Sequence, residues 1–431
     1  MEASRVPPIP PLIANTVRSD LKTLLGESHL RPALLADAID GVVPETIVEP
    51  CSASDLASAL KISSEAGLSA IPRGSRSKIG WGNRPTAANL VLSTGRLNQV
   101  LEHAWGDMTA TVEAGCVFSD LQHTLARHGQ RLALDPLWPG RATIGGILAT
   151  NDSGAMRARF GSLRDLVIGI TLALPDGTLA KSGGKVVKNV AGYDLAKLAT
   201  GSLGTLGVIT QAIFRLHPVP THARSVTIGA KDSGAVQAAV LAILDSQLVP
   251  SAIQIRASSS STPLVDVLFE GTVAGCDAQL QQLARVVSPC VENGSDGSSW
   301  VAREPLFEES PNTAVCKISL LPSDFGRLLN RLARLAGASE SFWALILQSV
   351  GVGLLRLEAA SVDGLRAAVL DLRSYAESSG GALVILKCPS ELKSGTDVWG
   401  SAGDALPLMR SVKAQFDPSG VLNPGRFVGS I

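Results

Sequence analysis

The chain has 431 residues, 45% of them hydrophobic and 18% charged, and Lys plus Arg and Asp plus Glu each total 38. That length exceeds one typical core and predicts two domains or a core plus a large insertion, while a net charge of zero leaves no basic field to draw nucleic acid or an anionic membrane, so neither is an expected partner. The cysteines (Cys51, Cys116, Cys276, Cys290, Cys316 and Cys388) are scattered, with no C-x-x-C pair that could make a zinc or iron–sulfur site by local spacing; they read as buried thiols of a reducing compartment.

Residues 1–40 read as an N-terminal arm and helix. Pro7, Pro8, Pro10 and Pro11 predict extended chain, and no basic region followed by an apolar core marks a secretory signal. No uncharged apolar run approaches the roughly 20 residues a membrane span needs, so the expectation is a cytoplasmic protein without a transmembrane segment, at most peripheral to a membrane through a partner.

From about residue 41, TIVEP, SASDLASALKISSEAG and LSAIP read as strand, helix and strand, with Ser52 or Ser54 as N-cap and Gly67 as the stop. TATVEA, VFSDLQHTLARHG and RLAL repeat the pattern and predict a second βαβ-like unit. VIGITLAL turns at Pro175-Asp176-Gly177 into TLAKSG as a hairpin, AGYDLAKLA reads as a helix, and GVITQAIFRLHP as a long strand. The segment 41–219 is thus expected to be one α+β domain. Residues 220–395, with helices such as VQAAVLAILDS and GRLLNRLARLAG, a loop over 291–300 and a buried strand at ALVIL, are expected to form a second domain. The tail 396–431 carries a helix and two Pro turns and is expected to return to the first domain.

Thirteen of the 42 glycines fall between 140 and 207, which localises a need for close backbone approach. Three segments stand out. Pro72-Arg73-Gly74-Ser75-Arg76-Ser77-Lys78 follows a predicted strand; such a loop can converge backbone N–H groups on a diphosphate, with cations beside it, or be an ordinary basic turn. Thr143-Ile144-Gly145-Gly146 opens a helix running toward Asn151, Ser153 and Gly154. Glycine costs a helix about 1 kcal/mol relative to Ala, so the pair indicates either ligand contact or tight packing. Gly201 to Thr210 spaces its glycines by three, which is neither G-x-G-x-x-G nor a P-loop, and a Rossmann NAD site and ATP hydrolysis lose support.

Taken in order, these segments resemble the FAD-binding domain of the vanillyl-alcohol oxidase and p-cresol methylhydroxylase (PCMH) family. Within it, TIGGILATNDSGAMRARFGSLRDLVIGITLALPDG and KNVAGYDLAKLATGSLGTLGVIT are most similar to the glycolate oxidase flavoproteins, the length and the NPGRF ending favouring the shorter, E-type FAD-binding member over the longer, D-type catalytic one. The resemblance implies an α+β fold: a two-subdomain PCMH-type FAD-binding domain, a smaller α/β cap and a short C-terminal return. It assigns pyrophosphate and ribityl contacts to Pro72–Lys78 and to Thr143, Ile144, Gly145 and Gly146. Asp135, Pro136 and Gly140 would lie near the flavin ring, Asn151, Ser153, Gly154 and Gly161 along the cofactor, and Gly207 with Ile209 near the adenine.

The family's loop carries glycine where this chain has Arg76, which must then take a negative φ or accept strain. With no His or Cys in 72–78, FAD is expected to be non-covalent. The implied function is oxidation of glycolate or a similar small 2-hydroxy acid to the 2-oxo acid, within a complex that includes a catalytic flavoprotein subunit and an iron–sulfur subunit. No histidine follows His222, so no catalytic residue is assigned. Arg356, Lys387 and Arg426 are candidate carboxylate ligands or structural arginine and lysine residues. An assembly subunit with weak or no FAD, and a stand-alone 2-hydroxyacid dehydrogenase, are the alternatives.

Overall fold

The computed structural model describes residues 14–185, 192–287, 297–339 and 341–431. The expected arm at Pro7–Pro11, Cys290, and the start of the AGYDLAKLA helix at Ala191 lie outside the described residues.

Local signals form where they were expected. Ser52 Oγ accepts from Asp55 N at 3.0 Å and starts helix Ala53–Glu65, and Gly67 follows its end at φ +66°. Strands Thr46–Val48, Ala70–Arg73 and Leu90–Ser93 are parallel, with Leu30–Pro32 antiparallel at one edge. Leu90–Ser93 lies between the two strands that the helix joins, a long-range insertion with no local mark.

The second sheet contains Val100–Ala104, Thr109–Glu113, Val208–Arg215, Val167–Ala173 and Leu179–Gly183, all antiparallel. The expected second βαβ unit is therefore corrected. After helix Phe118–Ala126 only Gln130–Arg131 is extended, and it pairs with His217–Pro218. Leu132 satisfies its backbone on the Gln122 side chain, giving 2.9 Å for its N–H and 3.0 Å for its carbonyl, so it needs no strand partner.

A third sheet of seven antiparallel strands, from His222–Gly229 to Ala382–Lys387, forms the cap. Its period-two alternation sends Ala314, Cys316, Ile318, Leu355 and Leu357 into a core with helices Ser233–Leu244, Phe325–Ser339 and Val362–Ser378. The opposite face, with Val315, Ile346, Leu354 and Leu386, packs on Trp81, Leu137, Leu306 and Phe307. Of the segment read as a loop over 291–300, residues 291–296 lie outside the described residues, and Ser298–Val301 form a 3₁₀ turn at its end.

The chain ends beside the first sheet. Ala70 N donates to Val421 O at 2.8 Å and Asn423 N to Ala70 O at 3.0 Å, giving that sheet a parallel bridge from the C-terminus. Among the described residues no helix is long and apolar enough to cross a membrane.

Candidate functional site

The loop 74–81 leaves strand Ala70–Arg73 and folds over the N-terminal end of helix Ile144–Thr150. Gly74 and Thr143, 69 positions apart in sequence, meet here: a Cβ built on Gly74 would stand 2.2 Å from Thr143 Oγ1. Pro72 to Lys78, Thr143 and Gly146 line one cleft of about 490 Å³. Sequence reading missed Asn423 as a wall of this cleft; it holds Leu203 O through its side-chain amide.

The donors facing the cleft come from the loop. The backbone N–H groups of Gly74, Ser75, Arg76, Ser77 and Lys78 have no acceptor among the described residues. A run of such open N–H groups, half-buried at Gly74 and Ser77, buried at Lys78 and exposed at Ser75 and Arg76, suits a diphosphate. By contrast, Ile144 N donates to Cys116 O at 2.9 Å, Gly145 N to Ala114 O at 2.7 Å, and Gly146 N to Thr143 Oγ1 at 3.4 Å. The Thr143 cap is present, but the first helical turn is already occupied. Gly145 is there for packing, since a Cβ would lie 2.8 Å from Ala114 Cβ.

Asp37 governs the loop's charge. This carboxylate, 4% exposed, accepts from Arg31 Nη1 at 2.8 Å and Arg73 Nη1 at 2.8 Å, and lies 3.8 Å from Arg76 Nη1. The Arg31 hydrogen bond, aided by Leu34 N–H and Arg73, holds its carboxyl far below the usual carboxylate range. Arg76 takes the strained alternative, φ +71°, with its guanidinium on Ala36 O. Lys78 is equally committed. Its buried ammonium sits 3.1 Å from Asp152, and burial lowers its pKa.

The expected flavin-ring residues lie one layer away. Asp135 accepts from Gly154 N at 3.0 Å and Met156 N at 3.4 Å, and burial raises its pKa. Cap residue Arg303 donates to Asp135 O and to Ser153 O, and Gln348 also donates to Ser153 O. A Cβ on Gly154 would meet Asp135 Oδ2 at 2.1 Å. Pro136 is buried and Gly140 exposed. Gly161 ends a helical turn at φ +86°, Gly207 packs on Leu172 and Leu174, and Ile209 belongs to the second sheet's core. None of these lines the 490 Å³ cleft. Asn151 lines an adjoining cavity, and its Oδ1, like Ser153 Oγ and Arg426 Nε, is buried without a partner among the described residues.

The three candidate carboxylate ligands are structural. Arg356 binds Glu358 and the carbonyls of Leu306 and Glu308. Lys387 donates to Phe307 O at 2.9 Å, and Arg426 to Ile79 O and Trp81 O, bracing the loop. His123 is exposed, and His128 stacks on Trp105. The expectation that all the cysteines are buried is corrected: Cys51 is exposed and Cys388 half-buried, because Cys51 lies in a surface turn before helix Ala53–Glu65.

This arrangement defines a flavin-dependent oxidase fold. The FAD binding domain family matches residues 44–183, and the C-terminal domain family of FAD-linked oxidases matches 401–427. An uncharacterized FAD-linked oxidoreductase of Mycobacterium tuberculosis is 30% identical over 423 residues, covering 90% of this chain and 91% of the relative. The chain belongs to this family of FAD-linked oxidoreductases, and FAD is its cofactor. Glycolate oxidase subunit GlcD of Bacillus subtilis is 33% identical over 49% of this chain and 45% of its own. D-2-hydroxyglutarate dehydrogenase of Xanthomonas citri pv. viticola is 26% identical over 89% of both chains. Among solved structures, alkyldihydroxyacetonephosphate synthase shares the fold, with TM-score 0.75 at 17% identity over 98% of this chain and 87% of that one.

Proposed function

We propose that the chain is the E-type, FAD-binding component of a glycolate oxidase complex, taking part in oxidation of glycolate or a similar 2-hydroxy acid to the 2-oxo acid. The observation that carries the cofactor site is the run of five open N–H groups, Gly74 to Lys78, over Thr143 and Gly146. They would hold the diphosphate of FAD, with Asp37 fixing Arg73 and Arg76 behind it. When bound, FAD supplies a two-electron acceptor for the hydride leaving the substrate α-carbon; the hydroxyl gives up its proton.

The likeness to glycolate oxidase subunit GlcD and to D-2-hydroxyglutarate dehydrogenase supports a 2-hydroxy acid as donor. The scattered cysteines support an electron relay in another chain, an iron–sulfur partner next to a catalytic flavoprotein subunit. The test is anaerobic addition of glycolate or D-lactate to the FAD-loaded chain, alone and with its co-purifying partners. Bleaching of the flavin band or reduction of an acceptor dye is expected, and neither appearing with any 2-hydroxy acid would remove this reading.

A second reading, a subunit that keeps the fold but holds FAD weakly, is favoured by the left-handed Arg76. Flavin absorbance of the isolated, desalted chain separates the two.

A further inference from the structure

Helix Leu406–Phe416 has no buried residue, although Leu408, Met409 and Val412, at i, i+1 and i+4, put an apolar stripe on one side of it. What ties it down is polar. Lys413 donates to Thr205 O at 2.8 Å and Leu422 O at 3.0 Å and pairs with Asp417 at 2.5 Å. A short helix draws most of its stability from burying an apolar side, and this stripe has too little against it.

Between this helix and helix Leu195–Ala199 lies a groove of about 720 Å³. Leu198, Leu206, Leu408, Met409, Val412 and Phe427 give it apolar walls, and it shares no lining residue with the 490 Å³ cofactor cleft. Leu408 is 69% exposed and Leu198 39%, so both stand proud of the groove. A small molecule lodged inside would leave them in water, whereas an α-helix laid along it would cover both.

Charge narrows the occupant. No carboxylate lines the groove, while Arg164 and Lys413 do. Lys413 is matched by Asp417. Arg164 donates to Thr200 O at 3.2 Å and Arg410, next to Met409, to Gly429 O at 3.3 Å, and neither has an ion pair among the described residues. The neighbouring acids are engaged elsewhere: Asp165 accepts from Ser162 and Asp194 sits 3.2 Å from Lys197. A second copy of the chain, docked through this same face about a two-fold axis, would gather unmatched arginines into one interface and is disfavoured.

We propose that the groove docks an amphipathic helix of another subunit, one with acidic residues flanking its apolar stripe to meet Arg164 and Arg410. This rests on the reading of the chain as one component of a complex, and not on which 2-hydroxy acid is oxidised.

The experiment follows backbone hydrogen exchange of the FAD-loaded chain, alone and in the complex isolated with its partners. Exchange over 195–206 and 406–416 is expected to slow about tenfold or more in the complex. Leu408→Asp is expected to weaken the complex by about 30-fold or more with unchanged flavin content, and Leu408→Lys to weaken it less. Arg164→Gln combined with Arg410→Gln should cost affinity at low salt and little at high salt. An intact complex with unchanged exchange over both segments, or one that tolerates Leu408→Asp, overturns the groove; Leu408→Lys weakening it more than Leu408→Asp overturns the acidic flank. If the chain isolates without partners, the reading of complex membership alone fails, and the groove is probed with a labelled helical peptide of roughly five turns, with Leu at heptad spacing and Glu on both flanks, against its Lys counterpart. Binding of the Glu peptide about tenfold tighter than the Lys peptide, lost in Leu408→Asp, sustains the site, and equal binding or none overturns it. A dimer of the isolated chain in sedimentation equilibrium that Leu408→Asp dissociates would put a second copy in the groove and overturn the proposed partner.

Discussion

Gly74 and Thr143 approach so closely that the only side chain the position admits is a hydrogen atom: a β-carbon there would overlap Thr143 Oγ1 at 2.2 Å. Overpacking of this kind costs about 1–3 kcal/mol, so Gly74→Ala is expected to weaken FAD binding by about tenfold or more. Fluorescence titration of the apoprotein with FAD measures it. Unchanged affinity would show that the loop is free to move off the helix.

Arg76 allows backbone strain to be separated from side-chain anchoring. Arg76→Gly and Arg76→Ala both delete the contacts to Ala36 and Asp37, but only alanine keeps the left-handed penalty. Arg76→Ala should therefore be less stable than Arg76→Gly by about 1 kcal/mol in thermal unfolding. Equal stabilities would place Arg76 outside the left-handed region in solution.

Asp37→Asn removes the carboxylate shared by Arg31 and Arg73 and should cost about 3 kcal/mol at pH 7. Because the carboxyl titrates lower when folded than when unfolded, its contribution is complete above the unfolded value near pH 4 and declines as pH falls below it. Urea unfolding of both proteins between pH 7 and pH 3 should show the gap constant to about pH 4 and shrinking beyond. A gap that widens in acid would refute the pairing.

Lys78→Met leaves Asp152 with Arg303 as its remaining cation at 3.7 Å. Loss of one partner of a buried pair predicts about 3 kcal/mol of destabilisation in urea. A loss below about 1 kcal/mol would mean that Arg303 takes over fully.

The thiols differ in environment. Burial pushes Cys116 up to about 11 and Cys316 up to about 12, whereas Cys51 is exposed. Peptide mapping after alkylation at pH 8 should find Cys51 modified while Cys116 and Cys316 stay free. Rapid labelling of Cys316 would show that the cap core opens.

What was legible in the sequence was chiefly local. Ser52 and Thr143 cap helices through bonds three residues long, and Pro175-Asp176-Gly177 turns a hairpin within one ladder. The loop 72–78 was legible because strand, glycine and basic residues are contiguous there. What escaped depends on distant partners. Asp37 reaches Arg73 across 36 positions, and Arg131 finds Glu270 across 139. Gly145 shows a different limit: a glycine that packs on Ala114 and a glycine that admits a phosphate look identical in one sequence. Arg303, which closes over Asp135 and Ser153, comes from a segment with no motif at all.

The bridge between Ala70 and Leu422, with Arg426 bracing Ile79 and Trp81, makes residues 70–81 and 421–426 one structural unit. A nascent chain has the loop 74–81 early but lacks its brace until residues 421–426 leave the ribosome. The loop is thereby fixed late in synthesis, and a chain cut before residue 421 would keep the cap core but lose both that brace and the Val421 and Leu422 packing beside the first sheet.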